Sequence, residues 1–326
     1  MRILFMGTPD IAAESLRAVC GAGHEVCAVF TREDKPVGRR QQLTAPPAKQ
    51  EAAAHSIPVY QPKTLRDPAV QSQIRALAPE LIVVVAYGRI LPPEVLCIPP
   101  HGCINLHVSL LPKYRGAAPV QWAVLNGDAE TGVTIMQLDE GLDTGDILMV
   151  ERLAIGPEET SGELFRRVSA IGAKTLLACI EEIAAGRARP IPQNHEKATL
   201  APPLAKEMAR LSFDKSAAAL HNLVRGMNPW PVAWFVSEDK KIKVLESRVA
   251  AAPAPAGEKS NEVTSETLAE KPVQAPAPGT VLRTKPLTIA CAEGALQLLT
   301  VVPEGKKPMD GTAWAAGRRL KAGDRL

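Results

Sequence analysis

What this chain of 326 residues lacks narrows it first. No run of 18 or more apolar residues occurs, so a hydrophobic helix spanning a membrane is excluded and no membrane partner is expected. The start, Met1-Arg-Ile-Leu-Phe-Met-Gly7, is too short and too soon interrupted for a signal peptide and reads as a buried strand. The six cysteines, at positions 20, 27, 97, 103, 179 and 291, form no Cys-x-x-Cys pair and lie in apolar or strand-like surroundings. That predicts reduced thiols in a cytoplasmic protein and argues against a zinc cage. No other cluster of metal-ligating residues is present, so no metal is expected. A single glycine follows the first strand in place of Gly-x-Gly-x-x-Gly, which removes support for a dinucleotide site.

The length suffices for two domains, each with its own core. Their charges differ: residues 1–205 hold 20 Lys+Arg against 22 Asp+Glu, and residues 206–326 hold 18 against 13. The smaller part is the basic one, which suits a polyanionic partner.

Apolar strands at 2–7, 25–30, 81–86 and 103–107, with helices at 9–19 and 70–77, predict a Rossmann-like α/β domain with a mostly parallel sheet. Thr8 is expected to cap the first helix, with Pro9 at its first position. Thr160-Ser-Gly-Glu163 reads as a capping box opening a helix through 185. The predicted division is a domain over 1–189, a proline-rich linker over 190–205, and a second domain over 206–326. In the latter a helix near 216–225 and short strands at 234–236, 242–245, 279–282, 287–290 and 295–302 suggest a small barrel. Residues 250–278, rich in Ala, Pro and Glu and without an aromatic, read as a disordered loop.

The candidate chemistry lies at the fourth strand. In Ile104-Asn105-Leu106-His107 alternation sends Asn105 and His107 to one side. An amide donor beside a titratable ring suits the oxyanion of an attacked carbonyl, and Asp143, in Gly141-Leu-Asp143-Thr-Gly-Asp146, is the leading carboxylate to orient and charge that ring. The pair alone also fits a turn-capping asparagine and a core histidine.

The surroundings decide. Asn105-Leu-His107-Val-Ser109-Leu-Leu-Pro112, Arg115-Gly116-Ala-Ala-Pro119 and Leu138-Asp139-Glu-Gly141-Leu-Asp143-Thr-Gly-Asp146 resemble the formyltransferases that use 10-formyltetrahydrofolate. Phe5-Met-Gly7-Thr-Pro-Asp10, Val83-Val-Val-Ala-Tyr87-Gly88 and Asn228-Pro-Trp-Pro231 are similar to the branch acting on tRNA. The resemblance implies transfer of the formyl group to the α-amine of methionyl-initiator tRNA, a donor of 10-formyltetrahydrofolate, a monomer, and an OB-like second domain. Asn105, His107 and Asp143 would be catalytic, with protonated His107 a charged donor to the oxyanion. Ser109, Leu110, Leu111 and Pro112 would meet the folate, as would Ala86, Tyr87, Gly88 and Asp139. Lys35, Arg39 and Arg40 would belong to a loop set against the tRNA acceptor end. Transfer to glycinamide ribonucleotide or an amino-sugar nucleotide is the alternative; the basic second domain weighs against the first.

Overall fold

The computed structural model describes residues 1–38, 41–250 and 276–326. Arg39, Arg40 and the central residues 251–275 of the expected loop lie outside the described residues. Two compact units emerge, one of residues 1–123, 128–156 and 163–203, the other of 124–127, 157–162 and 204–326.

In chain order the elements up to residue 201 are β1 (Arg2–Gly7), α1 (Asp10–Gly21), β2 (Glu25–Phe30), the hairpin β3 (Lys35–Val37) and β4 (Gln42–Thr44), and α2 (Pro47–Ala54). Then come β5 (Val59–Tyr60), α3 (Pro68–Ala76), β6 (Leu81–Val85), α4 (Pro93–Leu96), β7 (Cys103–His107), β8 (Arg115–Gly116) and α5 (Pro119–Leu125). β9 (Glu130–Gln137), β10 (Ile147–Ala154), α6 (Ser161–Ala184) and β11 (Leu200–Ala201) complete this part. Seven strands make one sheet in the order β10-β9-β7-β6-β1-β2-β5. From β7 to β5 every pairing is parallel, and only β9 runs the other way, antiparallel to both β7 and β10. Ile3–Met6 and Leu81–Val85 are buried throughout, as strands covered on both faces must be.

The first helix starts differently from expectation. Pro9, not Thr8, is the N-cap, and no side chain caps the helix. The Thr8 hydroxyl instead donates to the Tyr87 carbonyl at 3.2 Å, because that carbonyl just beyond β6 has left the sheet ladder and needs a donor. α2 escaped the sequence reading because only Ala48 and Ala52 on its surface are buried, too small an apolar stripe to register. The segment expected as a linker divides at Pro203, and its earlier part is built into the first unit. Leu200 and Ala201 pair in parallel with Arg115 and Gly116, and the Gln193 side chain is buried.

The second unit contains α7 (Ala217–Gly226), β12 (Trp234–Ser237), β13 (Lys240–Val249), β14 (Val281–Thr284), β15 (Leu287–Ala290), β16 (Ala295–Pro303), β17 (Met309–Asp310) and α8 (Gly311–Gly317). Ser216 caps α7 by accepting from the Ala219 N–H, and Asp310 caps α8 by accepting from that of Ala313. The strands form an antiparallel sheet, β12-β13-β16-β15-β14, with β17 added on β16. Register shifts along β13 at Val244–Ser247 mark bulges, which bend a strand and curl the sheet into a half-barrel. Phe235 fills its core, edge-on to Phe213 and Trp314 with ring centres 5.8 and 5.9 Å away.

Candidate active site

Chain reversal at three strand ends assembles the site. β7 pairs with β6 on one side and β9 on the other, so His107 lies opposite Thr134 and Asn105 opposite Met136 and Val84. Asn105 is half-buried, and its amide makes no hydrogen bond among the described residues. His107 is only 6% exposed. Its Nε2 lies 2.9 Å from the Tyr114 carbonyl, which can only accept, so that nitrogen carries a proton. Nδ1 faces Asp143 Oδ2 at 3.7 Å.

Asp143 reaches the ring from the turn between β9 and β10. Its backbone is left-handed, φ +52°, a conformation unusual for a residue with a side chain. Oδ2 also accepts the Gly116 N–H at 2.8 Å. Gly116 has φ +119°, and a Cβ there would come within 2.9 Å of the Ala201 carbonyl, so glycine lets β8 and β11 approach closely.

Burial lowers the His107 pKa from its ordinary value of 6.5. The Asp143 carboxylate and the Tyr114 carbonyl push it up, Arg115 pushes it down, and loss of water outweighs them all. Loss of water therefore opposes the charged ring that Asp143 was expected to favour, and the carboxylate offsets only part of that cost. Local sequence could not show this, because the desolvation arises from β6, β9 and the 109–116 turn folding around β7.

The residues expected to meet folate divide into two groups. Ser109 is fully buried; its hydroxyl donates to the Lys113 carbonyl at 2.7 Å and its carbonyl accepts from Thr134 Oγ1 at 2.7 Å. Leu111 is buried and donates its N–H to Thr134 Oγ1 at 3.2 Å. The Tyr87 ring belongs to the core with its hydroxyl unpartnered, and burial pushes its pKa to about 12. Asp139 holds its own turn, accepting from Gly141 N and Thr144 Oγ1. Ser109, Leu111 and Tyr87 are buried in the scaffold, whereas Asp139 is exposed and both of its bonds go to Oδ1. Ala86 and Gly88 are exposed and Leu110 and Pro112 half-buried, so this second group is open to a ligand. Lys35 is exposed on the β3–β4 hairpin.

Three residues that sequence reasoning gave no role surround this centre. Arg115 Nη2 donates to Gln193 Oε1 at 2.6 Å and lies 3.1 Å from His195 Nδ1. The Gln193 amide donates to the carbonyls of Asp143 and Gly145 at 3.0 and 2.7 Å. Arg115 stood inside a recognised motif, but the pairing at residues 193 and 195 had no local signal.

The sequence profile described as Formyl transferase matches residues 1–180, and that described as Formyl transferase, C-terminal domain matches residues 203–319. The chain belongs to the formyl transferase family. Within it, the chain is 45% identical to the methionyl-tRNA formyltransferase of Lachnospira eligens, across 99% of this chain and 98% of that protein. Identity with the methionyl-tRNA formyltransferase of Solibacter usitatus is 43%, across 100% and 98%. The fold is shared with an N-formyltransferase from Helicobacter canadensis solved with folinic acid and dTDP-3-aminofucose, at TM-score 0.63 and 18% identity over 91% of this chain and 98% of that one. HypX from Aquifex aeolicus in complex with tetrahydrofolic acid matches at TM-score 0.59 and 17% identity, over 100% of this chain and 49% of HypX.

Proposed function

We propose that the chain transfers the formyl group of 10-formyltetrahydrofolate to the α-amine of methionyl-initiator tRNA. The observation that carries the reading is the meeting of Asn105, His107 and Asp143 at one strand end, in a chain related along its whole length to methionyl-tRNA formyltransferases.

The neutral amine attacks the formyl carbon, forming the new C–N bond and leaving charge on the formyl oxygen. Asn105, whose amide is uncommitted, donates to that oxygen. A preorganised donor of this kind contributes about 3–4 kcal/mol in comparable sites. The nitrogen that attacked is now positively charged and must lose a proton. Nδ1 of neutral His107 and the Asp143 carboxylate are the acceptors, directly or through a water held by Asp143. Protonation makes His107 a cation beside both the carboxylate and the oxyanion, so the charge appears when it is most useful. Return of the proton to N10 lets the C–N10 bond break. Gly116 and Tyr114 act through main-chain groups, fixing Asp143 and the ring.

Ala86, Gly88, Leu110 and Pro112 provide the contacts for the folate, while Ser109, Leu111, Tyr87 and Asp139 shape the backbone behind them. Lys35, with Arg39 and Arg40, serves the acceptor end of the tRNA. Trp234 carries Lys241 over its ring at 3.9 Å and Arg210 at 5.9 Å, a basic, aromatic surface in the second unit suited to nucleic acid. No step calls for a metal, and among the described residues no group of His, Cys, Asp and Glu is arranged to hold one. No described helix is long and apolar enough to cross a membrane. A monomer in the cytoplasm is the proposed working form.

The test supplies purified chain with 10-formyltetrahydrofolate and either methionyl-initiator tRNA or glycinamide ribonucleotide, and follows formylated product by mass spectrometry. Product from the tRNA alone is the expected result. Formylation of the ribonucleotide alone would overturn the proposed acceptor.

A further inference from the structure

The Asp143 turn leans on a side chain 50 residues further along the chain that has no acid–base chemistry of its own. We infer that Gln193 is a positioning residue for the proposed reaction. Its carboxamide holds the left-handed turn that presents Asp143 to His107, and Arg115 determines which way the carboxamide faces.

The donors and acceptors allow one arrangement. Arg115 has only N–H groups to offer, so the group 2.6 Å from its Nη2 must be the Gln193 oxygen. The amide nitrogen then faces the other way, and its two N–H bonds go to the carbonyls of Asp143 and Gly145. These carbonyls bracket the Asp143–Gly145 turn, in which Asp143 adopts φ +52° against the preference of an L residue. The carboxylate end is fixed separately by the Gly116 N–H, and Gly116 follows Arg115 in the chain. Backbone and side chain of Asp143 are therefore tied to one two-residue strand, itself anchored by pairing with Leu200 and Ala201. Gln193 and Arg115 are 6% and 7% exposed, so water is a poor substitute for the lost bonds. A glutamate would keep the length and the bond to Arg115 yet have no N–H for either carbonyl. A methionine would keep the volume and lose all three bonds.

The inference rests on the proposed catalytic roles of His107 and Asp143, and its test separates the two. Gln193→Met and Gln193→Glu are made in the full chain. The kcat and the KM values for methionyl-initiator tRNA and for the formyl donor are measured across pH, and the His107 imidazole is titrated by NMR without substrate. The charged groups facing His107 are Asp143, which raises its pKa, and Arg115, which lowers it. Releasing the turn takes the carboxylate away, so His107 titrates at lower pH than in the parent protein and the acid limb of kcat moves with it. An ångström of misplacement costs on the order of 100-fold, so kcat falls roughly 10- to 100-fold with KM for the formyl donor little changed. An unchanged His107 titration and pH profile, with activity tracking only the folded fraction, would overturn the inference. If Gln193→Met does not fold, Gln193→Glu carries the test through the loss of kcat, since its carboxylate on Arg115 offsets that cation's downward push on the His107 titration. Should the parent protein fail to formylate the tRNA, the proposed acceptor falls while the His107 titration still decides the role of Gln193.

Discussion

Around residue 143 the first unit buries a histidine, an arginine, a glutamine, a serine and a threonine, each meeting a specific partner. The second unit packs Phe213, Phe235 and Trp314 edge to face and keeps Lys240, Lys243 and Arg248 on the outside of β13. Its buried basic side chains, His221 and Arg225, are turned to main-chain carbonyls, those of Pro157 and Glu159. Buried polar groups are costly unless satisfied, and they confer fixed directions in return. A site for bond making requires such directions. A surface for a polyanion needs charge in water and a stable body beneath it. On the proposed function, the difference between the interiors follows the difference between these tasks.

Deleting a ring from the second interior has the largest expected effect on stability. Phe235→Ala should cost about 3–5 kcal/mol in urea unfolding, the range for a large buried aromatic. Asn105→Ala should do the reverse in the first unit. Its turnover falls roughly 100- to 1,000-fold through loss of an oxyanion donor, with the unfolding curve nearly superimposable on that of the parent. Full turnover in this variant, measured at saturating substrates, would remove Asn105 from the chemistry.

Acidification probes the polar interior by degrees. The folded pKa of His107 lies below 6.5, so in the window between that value and 6.5 the unfolded chain binds more protons. Stability therefore falls as pH drops through this window, and the full penalty is present below the folded pKa. Burial moves His24 and His221 in the same direction, so His107→Gln should shallow the slope without abolishing it, as read from melting temperatures at stepped pH. Turnover should show its acid limb below pH 6.5.

The smallest effect belongs to the outer face of the second unit. Removing the ammonium over Trp234 together with its strand neighbour, as Lys241→Ala with Lys243→Ala, should weaken tRNA binding a few-fold. It should also reduce the salt slope by about two, leaving turnover at saturating tRNA unchanged. An unaltered salt dependence would show that tRNA does not use this face.

Some strands were readable because burial writes itself into composition, whereas β9 and β10 were not read as strands and β13 runs well beyond the expected 242–245. β2, β7 and β15 occupy the residues their apolar runs predict, and Ser216 announces α7. Asn105, His107 and Asp143 were visible as unusual polar residues among glycines and apolar neighbours. The supports of that trio were not. Gln193 lies in a proline-rich stretch without periodicity, which reads as a connector, and its worth depends on carbonyls 50 residues away. The downward pull of burial on the His107 pKa was equally hidden, since only the assembled walls produce it. Ser109 and Asp139 stand out in the motif, but the bonds that Ser109 makes to Lys113 and that Asp139 Oδ1 accepts from Gly141 and Thr144 could not be read from it.

The left-handed backbone at residue 143 sets thermal endurance and turnover against each other. Glycine would fit that turn without the strain of a side chain, and asparagine, which visits this conformation readily, could still accept the Gly116 N–H. Aspartate tolerates this conformation better than most L residues, so the relief on going to glycine is at most about 1 kcal/mol. A library selected only for heat resistance should thus drift toward glycine at this position, and, if Asp143 holds its proposed role, toward molecules that no longer work. On that reading the aspartate is a less stable occupant kept by the demand for a carboxylate.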